Sequence, residues 1–384
     1  MKNFKNILFR ELNFIKEETS LFALIILAPF FFAFFYSTVY SAKVETNIKI
    51  AVIDNDNTET SRNFARYLEV HQQLSIYSKQ LDFYEAKELI KKDKIPAFLF
   101  IDKGFEKDLK QRKSSNIPLF LNNTRFLTSN DINKAVNETA AYFGAGIKLK
   151  YFESNKFNPE QSLAQIEPIK IDMRSLYNFT ESYGDFVIPG LLALIIQQTL
   201  LIGISLTFTK EIEEKKINEF TSNSLLNTVL QKSFIYLIFF GILAFFFYTV
   251  LFSLFKINNN GNYFALSVIA ILHLTASISF GIFISTFLKR KIAVLQFYAF
   301  TSLPFFLASG YSWPKTAIPD CINWIMYLIP STSFLESFIG ITQKGQGLEV
   351  NLTAVGIMLF LSLIYFPIGF YRLRKLTSPL NSWD

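Results

Sequence analysis

Few residues of this chain have the types and spacing that chemistry requires. Gly340 and Gly345 repeat the glycine spacing of a phosphate-binding loop of the G-x-x-x-x-G-K-[ST] kind, but Gln346 stands where the lysine belongs. With His71 and His273 as its two histidines, the chain lacks the parts of a Ser/His/Asp set and of a histidine-rich metal site. We therefore predict that the chain is not an enzyme, hydrolyses no ATP by itself, and holds neither a metal nor a cofactor.

Three polar residues stand inside long apolar runs: Gln197, Gln198 and His273. Polar side chains in such runs either hydrogen-bond to neighbouring helices or contact a ligand. Both interpretations stay open for His273. The two glutamines could join helices or face a pathway lined by a dimer, so the three are candidate pathway residues.

The elements that must position these residues are six apolar runs, each long enough for a membrane-spanning helix at about 1.5 Å per residue. The first run stands alone, and the other five follow a long polar stretch. The runs are Ser20–Tyr40, Phe186–Thr209, Ser233–Phe255, Tyr263–Leu288, Ile292–Tyr311 and Leu352–Tyr371. A cleaved signal peptide is the alternative for the first run, which is longer than the usual apolar core of such peptides. We predict an α-helical membrane protein with six transmembrane helices.

Lys and Arg residues are distributed unevenly between the two sides of these helices. If both termini are cytoplasmic, the inner segments carry 14 of them, and the short outer loops carry three, Lys256, Lys315 and Lys344. Short basic loops stay in the cytoplasm, so the polar stretch 41–185 is predicted to be extracytoplasmic. That stretch has 21 basic and 20 acidic residues, so the net charge of +7 belongs almost wholly to the membrane part, where 17 basic residues face 11 acidic ones. The charge indicates contact with a lipid membrane, and nucleic-acid binding is not supported.

The stretch 41–185 alternates strand-like and helical segments, which indicates an independently folded α/β domain. Asp54–Asn57 is typical of a turn and helix N-cap, with a cation or phosphate site as the alternative. Phe143–Gly146 favours a helix bend or close packing over a nucleotide loop. Strands are predicted at 47–53, 74–77, 97–101, 117–121 and 166–171, and helices at 59–70, 83–92, 103–113 and 129–152.

Two cytoplasmic segments have the patterns of helices that meet other surfaces. In 1–19, apolar residues such as Leu8 and Ile15 fall on one face and Glu11 lies elsewhere, as in a helix at the membrane interface. The loop 210–231 begins as a charged helix. It is either a solvated face or a docking helix for a cytoplasmic motor.

Four segments resemble the permease subunits of ABC-2 type ABC transporters, in the efflux branch with a large extracytoplasmic domain between the first and second spans. The segments are RELNFIKEETSLFALIILAPF, AVIDNDNTETSRNFARYL, KEIEEKKINEFTSNSLL and FFLASGYSWPKTAIPDCINWIMYLIPSTSFLES. The last is the most specific, because its prolines and glycine predict an apolar segment, 312–335, that re-enters the membrane without crossing it. The third departs from the family, since Lys-Lys-Ile-Asn-Glu replaces a glycine and threonine before the glutamate.

The resemblance implies a permease dimer, formed with a second copy or a sister permease, bound to two copies of a separate ABC ATPase that holds ATP and Mg. A periplasmic adaptor is left open. The ATPase contact implied for the loop consists of Lys210, Glu211, Glu213, Glu214 and Glu219. The re-entrant gate is marked by Gly310, Trp313, Pro314, Pro319 and Pro330.

The predicted order of domains is an elbow helix (1–19), a first transmembrane helix (20–40), the extracytoplasmic α/β domain (41–185), a five-helix membrane part (186–375) and a cytoplasmic tail (376–384). The expected function is an export permease of a bacterial inner membrane for an amphipathic or lipid-like compound, driven by ATP hydrolysis on the partner. The alternative is an extracytoplasmic receptor or scaffold with a multi-span membrane anchor.

Overall fold

The chain forms two compact units, Met1–Lys43 with Ser175–Asp384, and Val44–Arg174. They are called the membrane unit and the inserted unit below. The computed structural model describes residues 19–78, 81–111, 113–154, 176–178, 181–214, 225–288 and 290–377, together with 8, 9, 11, 13, 15 and 16.

In the membrane unit, helix α1 covers Ala23–Val39 and follows a helical turn at Thr19–Phe22. Its opening turn, Ala23–Leu27, is π-helical. Pro29 accounts for this, because a proline ring clashes with the carbonyl four residues earlier, here that of Ile25, and a wider turn relieves the clash. α1 is apolar but shorter than the helices that are long enough to cross a membrane.

The inserted unit contains a four-stranded sheet in the order β2-β1-β3-β4. β1 pairs in parallel with β2 and β3, and β4 pairs antiparallel with β3. The strands are β1 (Ile48–Asp54), β2 (Leu74–Ser78), β3 (Ala97–Ile101) and β4 (Leu119–Leu121).

Helices cover both faces of this sheet, since alternate strand residues point to opposite sides. Val52 and Leu99 pack with Phe64 on one face, and Ile53 and Phe98 belong to a second cluster on the other face. The helices are α2 (Glu59–Val70), α3 (Phe83–Lys91), α4 (Phe105–Lys110) and α5 (Phe126–Ser154).

These elements match the sequence pattern closely, and α2 has the predicted bounds. α4 is shorter than the predicted 103–113, because Gly104, with φ +96°, adopts a left-handed conformation directly before it. The predicted strand 166–171 lies outside the described residues.

The acidic turn after β1 is engaged in internal hydrogen bonds. Asp54 Oδ1 accepts the N–H groups of Asp56 at 3.1 Å and Asn57 at 3.0 Å. Asp56 Oδ1 accepts the N–H of Gly104 at 2.7 Å, and Asp56 Oδ2 accepts the hydroxyl of Thr58, the N-cap of α2. The carboxylates therefore serve the turn and the helix start.

The glycine pair in Phe143–Gly146 lies inside α5. Phe143 packs against Phe64, with ring centroids 5.2 Å apart. A Cβ added at Gly144 or Gly146 would meet nothing within 4 Å, so the glycines allow no close contact within the described residues.

The rest of the membrane unit is helical. In the described part of the chain, five helices are long and apolar enough to cross a membrane, and two shorter helices, α10 and α11, are bent by 91° to each other. The helices are α6 (Tyr183–Glu213), α7 (Leu225–Leu254), α8 (Tyr263–Ser285), α9 (Lys291–Ala308), α10 (Asp320–Met326), α11 (Pro330–Thr342) and α12 (Leu352–Thr377).

α6 forms the centre of the membrane unit, since 78% of its 18-residue apolar stretch is buried. α9 lies at the margin, since 17% of the corresponding stretch of α9 is buried. The prediction of a helical, multi-pass membrane protein is confirmed. The number of spanning helices is five among the described residues, or six if α10 and α11 together make one span. The predicted first span, Ser20–Tyr40, is not among the five.

Candidate functional site

A buried cluster of charges joins the N-terminal segment to α6 and α7. Lys232, about two turns into α7, is fully buried, and its Nζ lies 3.1 Å from Glu11 Oε1. The same ammonium donates to Glu211 Oε1 in the last turn of α6 and lies 5.2 Å from the centroid of the Phe208 ring. The carbonyl end of a helix favours a cation, so α6 adds to the attraction. We call Glu11, Glu211 and Lys232 the charge cluster.

The amphipathic pattern of the N-terminal segment did not predict the burial of Glu11. The sequence placed it away from the apolar face, but it is only 1% exposed. A charge leaves water at high cost unless it is paired, and Lys232 provides the pair. Ile15, on the predicted apolar face, packs against the hydrophobic core of the membrane unit.

The other residues of the predicted ATPase contact have different surroundings. Lys210 pairs with Glu214 at 4.0 Å on the last turn of α6. Glu213 Oε2 accepts the backbone N–H of Lys291, at the start of α9, at 3.4 Å. Glu219 lies outside the described residues. Glu211 is therefore turned into the charge cluster, while Glu214 is partly exposed.

The residues that mark the predicted gate lie where helices end and begin. Gly310, with φ +84°, follows the end of α9. Pro319 directly precedes α10 and Pro330 opens α11, positions that suit a residue without an N–H. Pro314 precedes a short 3₁₀ turn, and Trp313 is exposed.

The segment 312–342 contains α10 and α11 and extends the predicted re-entrant segment to the end of α11. The residues that flank it on either side contact the same end of α6. Before the segment, the Tyr311 hydroxyl donates to the Phe186 carbonyl and accepts the N–H of Gly190 at 3.0 Å. After it, Gln343 Nε2 donates to the Asp185 carbonyl at 3.4 Å. The chain thus leaves and returns at one end of the unit, with the 91° bend between.

Lys315 fastens this segment onto itself. Its Nζ lies 2.8 Å from Glu336 Oε2 on α11 and donates to the Tyr327 hydroxyl at 2.9 Å. The ammonium also lies 4.7 Å from the centroid of the Tyr327 ring. The sequence pattern predicts Lys315 only as a cation of an outer loop, and the available signal is a single cation between apolar stretches.

The candidate pathway residues lie inside the helix packing. His273 stacks on Phe334 of α11, with ring centroids 4.0 Å apart and an interplanar angle of 12°. Neither ring nitrogen of His273, nor either amide atom of Gln197 or Gln198, makes a hydrogen bond of standard geometry within the described part of the chain. The hydroxyl of Ser277, one turn beyond His273, is also unpaired there.

Helix register places Gln197 and His273 at the same height. α6 and α8 begin at the same end, because Gln343 contacts both Asp185 and Asn260. Ile204 packs on Gly281 deeper in the unit, and Gln197 and His273 each precede that contact by about two turns. We call Gln197, His273 and Ser277 the polar layer.

The glycine pair that mimics a phosphate loop ends a helix. Gly345, with φ +68°, follows α11, and the Gln346 N–H donates to the carbonyl of Gly340 at 2.9 Å. The carbonyl end of a helix attracts cations, and phosphate binds at the opposite end. Elsewhere in the described ranges, no group of three or more His, Cys, Asp and Glu residues could hold a metal ion.

Comparison with known proteins gives one family. The model described as ABC-2 family transporter protein matches residues 19–371. None of the curated proteins with which the chain was compared matches it. Since the family match covers most of the sequence, the chain belongs to the ABC-2 transporter family.

Proposed function

We propose that this chain is the permease subunit of an ATP-driven exporter in a bacterial inner membrane, and that it moves an amphipathic or lipid-like compound. Both termini are cytoplasmic in this proposal, and the inserted unit lies outside the cytoplasm. The ATP and Mg are held by a separate ABC ATPase. A second permease, another copy or a sister chain, completes the translocation path.

The charge cluster carries this proposal. It connects the three elements that must move together if a cytoplasmic motor drives the membrane helices: the N-terminal segment, the end of α6 and the first turns of α7. Removing one partner of a buried charge pair leaves an uncompensated charge, so the cluster favours joint movement of the three elements. Force applied near Glu214 therefore reaches α6, the most buried long helix of the unit.

A second contact extends this connection to α9. Glu213 accepts the N–H of Lys291 at the start of that helix, where the dipole favours an anion. The loop end at 210–214 thus contacts the first turns of α7 and the start of α9. A motor that docks there acts on three membrane helices.

The polar layer supports a pathway for a compound with an uncharged polar group. Gln197 and Ser277 offer donors and acceptors that have no partner in the described ranges, and His273 has the Pro330 backbone as its polar neighbour there. Buried polar groups without a partner are costly, so a ligand group or water that pairs with them is favoured. The long apolar faces of α9 and α12, which are mostly unburied within the unit, suit contact with lipid or with a second permease.

Purification of the intact chain from its native membrane in mild detergent tests the proposal. We expect a co-purifying polypeptide with a complete G-x-x-x-x-G-K-[ST] loop and Mg-dependent ATP hydrolysis by the complex. Recovery of a kinase, or of no nucleotide-binding partner, would favour a receptor or scaffold instead. The matched comparison is the same preparation with Glu214→Lys, a partly exposed position outside the charge cluster, which we expect to fold and to lose the partner.

A further inference from the structure

The backbone hydrogen bonding of α6 is interrupted near the start of the helix. Pro189 has no N–H, so the Asp185 carbonyl cannot receive the usual hydrogen bond from four residues later. Gln343 Nε2 supplies a replacement donor at 3.4 Å. This part of α6 therefore depends on side chains from elsewhere in the membrane unit.

The Tyr311 hydroxyl bonds to the next pair of backbone groups along the helix. In a regular helix the Gly190 N–H donates to the Phe186 carbonyl. The Tyr311 hydroxyl contacts both of these groups, accepting from Gly190 at 3.0 Å and donating to Phe186.

The neighbouring residues leave room for this contact. A Cβ at position 190 would lie 2.3 Å from Tyr311 Cε1, so the ring fits only because residue 190 is glycine. The Phe186 ring stacks on the Tyr311 ring at 5.3 Å and 20°. Tyr311 is 4% exposed and directly precedes the segment 312–342.

The contact between Tyr311 and α6 has an alternative arrangement. If Tyr311 withdraws, the Gly190 N–H and the Phe186 carbonyl can bond to each other, so neither is left buried and unpaired. An element whose two arrangements satisfy the same backbone groups is suited to switching. The exchange would loosen the segment 312–342 and leave these two backbone groups of α6 bonded to each other.

We propose that Tyr311 is a latch, a positioning residue that holds the segment 312–342 against α6 and whose release allows this segment to move. The proposal goes beyond the proposed function, because it specifies a conformational step and depends on neither the ATPase nor the substrate.

The test measures exposure of a buried residue of α11 in the full chain. Ser337 is fully buried, and its hydroxyl bonds only to carbonyls of its own helix among the described residues. With the single native cysteine removed by Cys321→Ser, Ser337→Cys gives one site for a water-soluble thiol reagent, and the labelling rate is followed in membranes. We expect Tyr311→Phe, which keeps the ring and loses the hydroxyl, to raise that rate about tenfold.

Gly190→Ala reaches the same state by a different route, since the added methyl group displaces the ring while the hydroxyl remains. We expect a comparable increase. The matched control is Tyr298→Phe, which removes a buried hydroxyl bonded to Ser205 at 2.9 Å. Its labelling rate should not change.

The latch is refuted if Tyr311→Phe labels at the rate of the parent, or if Tyr298→Phe accelerates labelling equally. Should Gly190→Ala fail to fold, the comparison of the two tyrosine variants decides by itself. No ATPase and no substrate enter the measurement, so a negative result here leaves the proposed function in place.

Discussion

Lys232 and Glu11 form an ion pair of 3.1 Å in which both side chains are almost completely buried. The two residues come from distant parts of the chain, and Glu211 completes the cluster. A buried ion pair is weak support for stability as such, but removing one member is costly because the others remain charged. The cluster therefore acts as a joint that keeps the N-terminal segment, α6 and α7 together.

Lys232→Met should destabilise the membrane unit by about 3–5 kcal/mol, because the buried Glu11 and the partly buried Glu211 lose their common partner. Thermal unfolding of the detergent-solubilised chain measures this. Adding Glu11→Gln and Glu211→Gln should recover much of the loss, since the two carboxylate charges are then removed as well. Lys210→Met, which breaks the partly exposed pair with Glu214, serves as control and should cost at most about 1 kcal/mol. Equal destabilisation by Lys232→Met and Lys210→Met would contradict this structural role of the charge cluster.

Gln197→Leu distinguishes the two interpretations of the polar layer. If the amide has no partner in the folded protein, the substitution should be neutral or stabilise by roughly 1–3 kcal/mol, and ATP-driven export should fall. Ser205→Ala is the matched control, because that hydroxyl bonds to the Gly281 carbonyl and to Tyr298. We expect the control to lose about 1 kcal/mol. A similar loss for Gln197→Leu would show that the amide joins helices.

Much of the inserted unit could be predicted from sequence, because its signals are local. The apolar strand at Ala97–Ile101 and the capped helix at Glu59–Val70 have the predicted bounds. The charge cluster could not be predicted in this way. Glu11 lies in a segment whose pattern predicts an amphipathic helix with its charges in water, and nothing near it in the chain indicates Lys232 as its partner.

The same limit applies to Tyr311. A tyrosine in an apolar stretch carries no local signal for contact with the backbone of another helix. The features that admit it, Pro189 and Gly190, lie far away in the sequence. The bend between α10 and α11 is different, since Pro330 and Pro319 mark the starts of the helices on either side.

Acidification should weaken the acidic turn of the inserted unit. Partial burial raises the pKa of Asp56, but hydrogen bonds from the Thr58 hydroxyl and from the N–H groups of Glu106, Gly104 and Phe105 outweigh it and hold the pKa below 3.8. A carboxyl group with a lowered pKa stabilises the fold above its unfolded pKa, and the effect is lost as pH falls through the folded pKa. We expect amide exchange at Gly104, corrected for its intrinsic pH dependence, to rise only below about pH 4.

Asp56→Asn should raise exchange at Gly104 already at neutral pH and remove this acid dependence. Asp102→Asn, at an exposed carboxylate nearby, is the control and should leave both the exchange at Gly104 and its acid dependence unchanged. Identical profiles for Asp56→Asn and the parent would contradict the assigned hydrogen bonds.

The proposed orientation predicts which residues a membrane-impermeant thiol reagent reaches in spheroplasts. In a Cys321→Ser background, Asn116→Cys in the inserted unit should be labelled at once, since the residue is exposed and predicted to lie outside the cytoplasm. Lys375→Cys, exposed near the end of α12, should react only after the membrane is permeabilised. Reversed labelling of the two sites would reverse the topology.

Because Glu211 belongs to the charge cluster, a variant at Glu211 is not a clean test of the proposed ATPase contact. Charge reversal at Glu211 together with Glu213 would weaken ATPase binding, but it would also disrupt the charge cluster, so folding and docking would change together. Glu214 separates the two effects, because it is partly exposed and lies outside the cluster.

A photo-crosslinking amino acid at Glu214 therefore tests the central claim most directly, with the same probe at Asn116 as control. The account predicts that irradiation of native membranes yields an adduct between position 214 and a polypeptide with a complete phosphate-binding loop, and none from position 116. An adduct with that polypeptide from position 116 alone, or none from position 214 in a preparation that retains the ATPase, would contradict it.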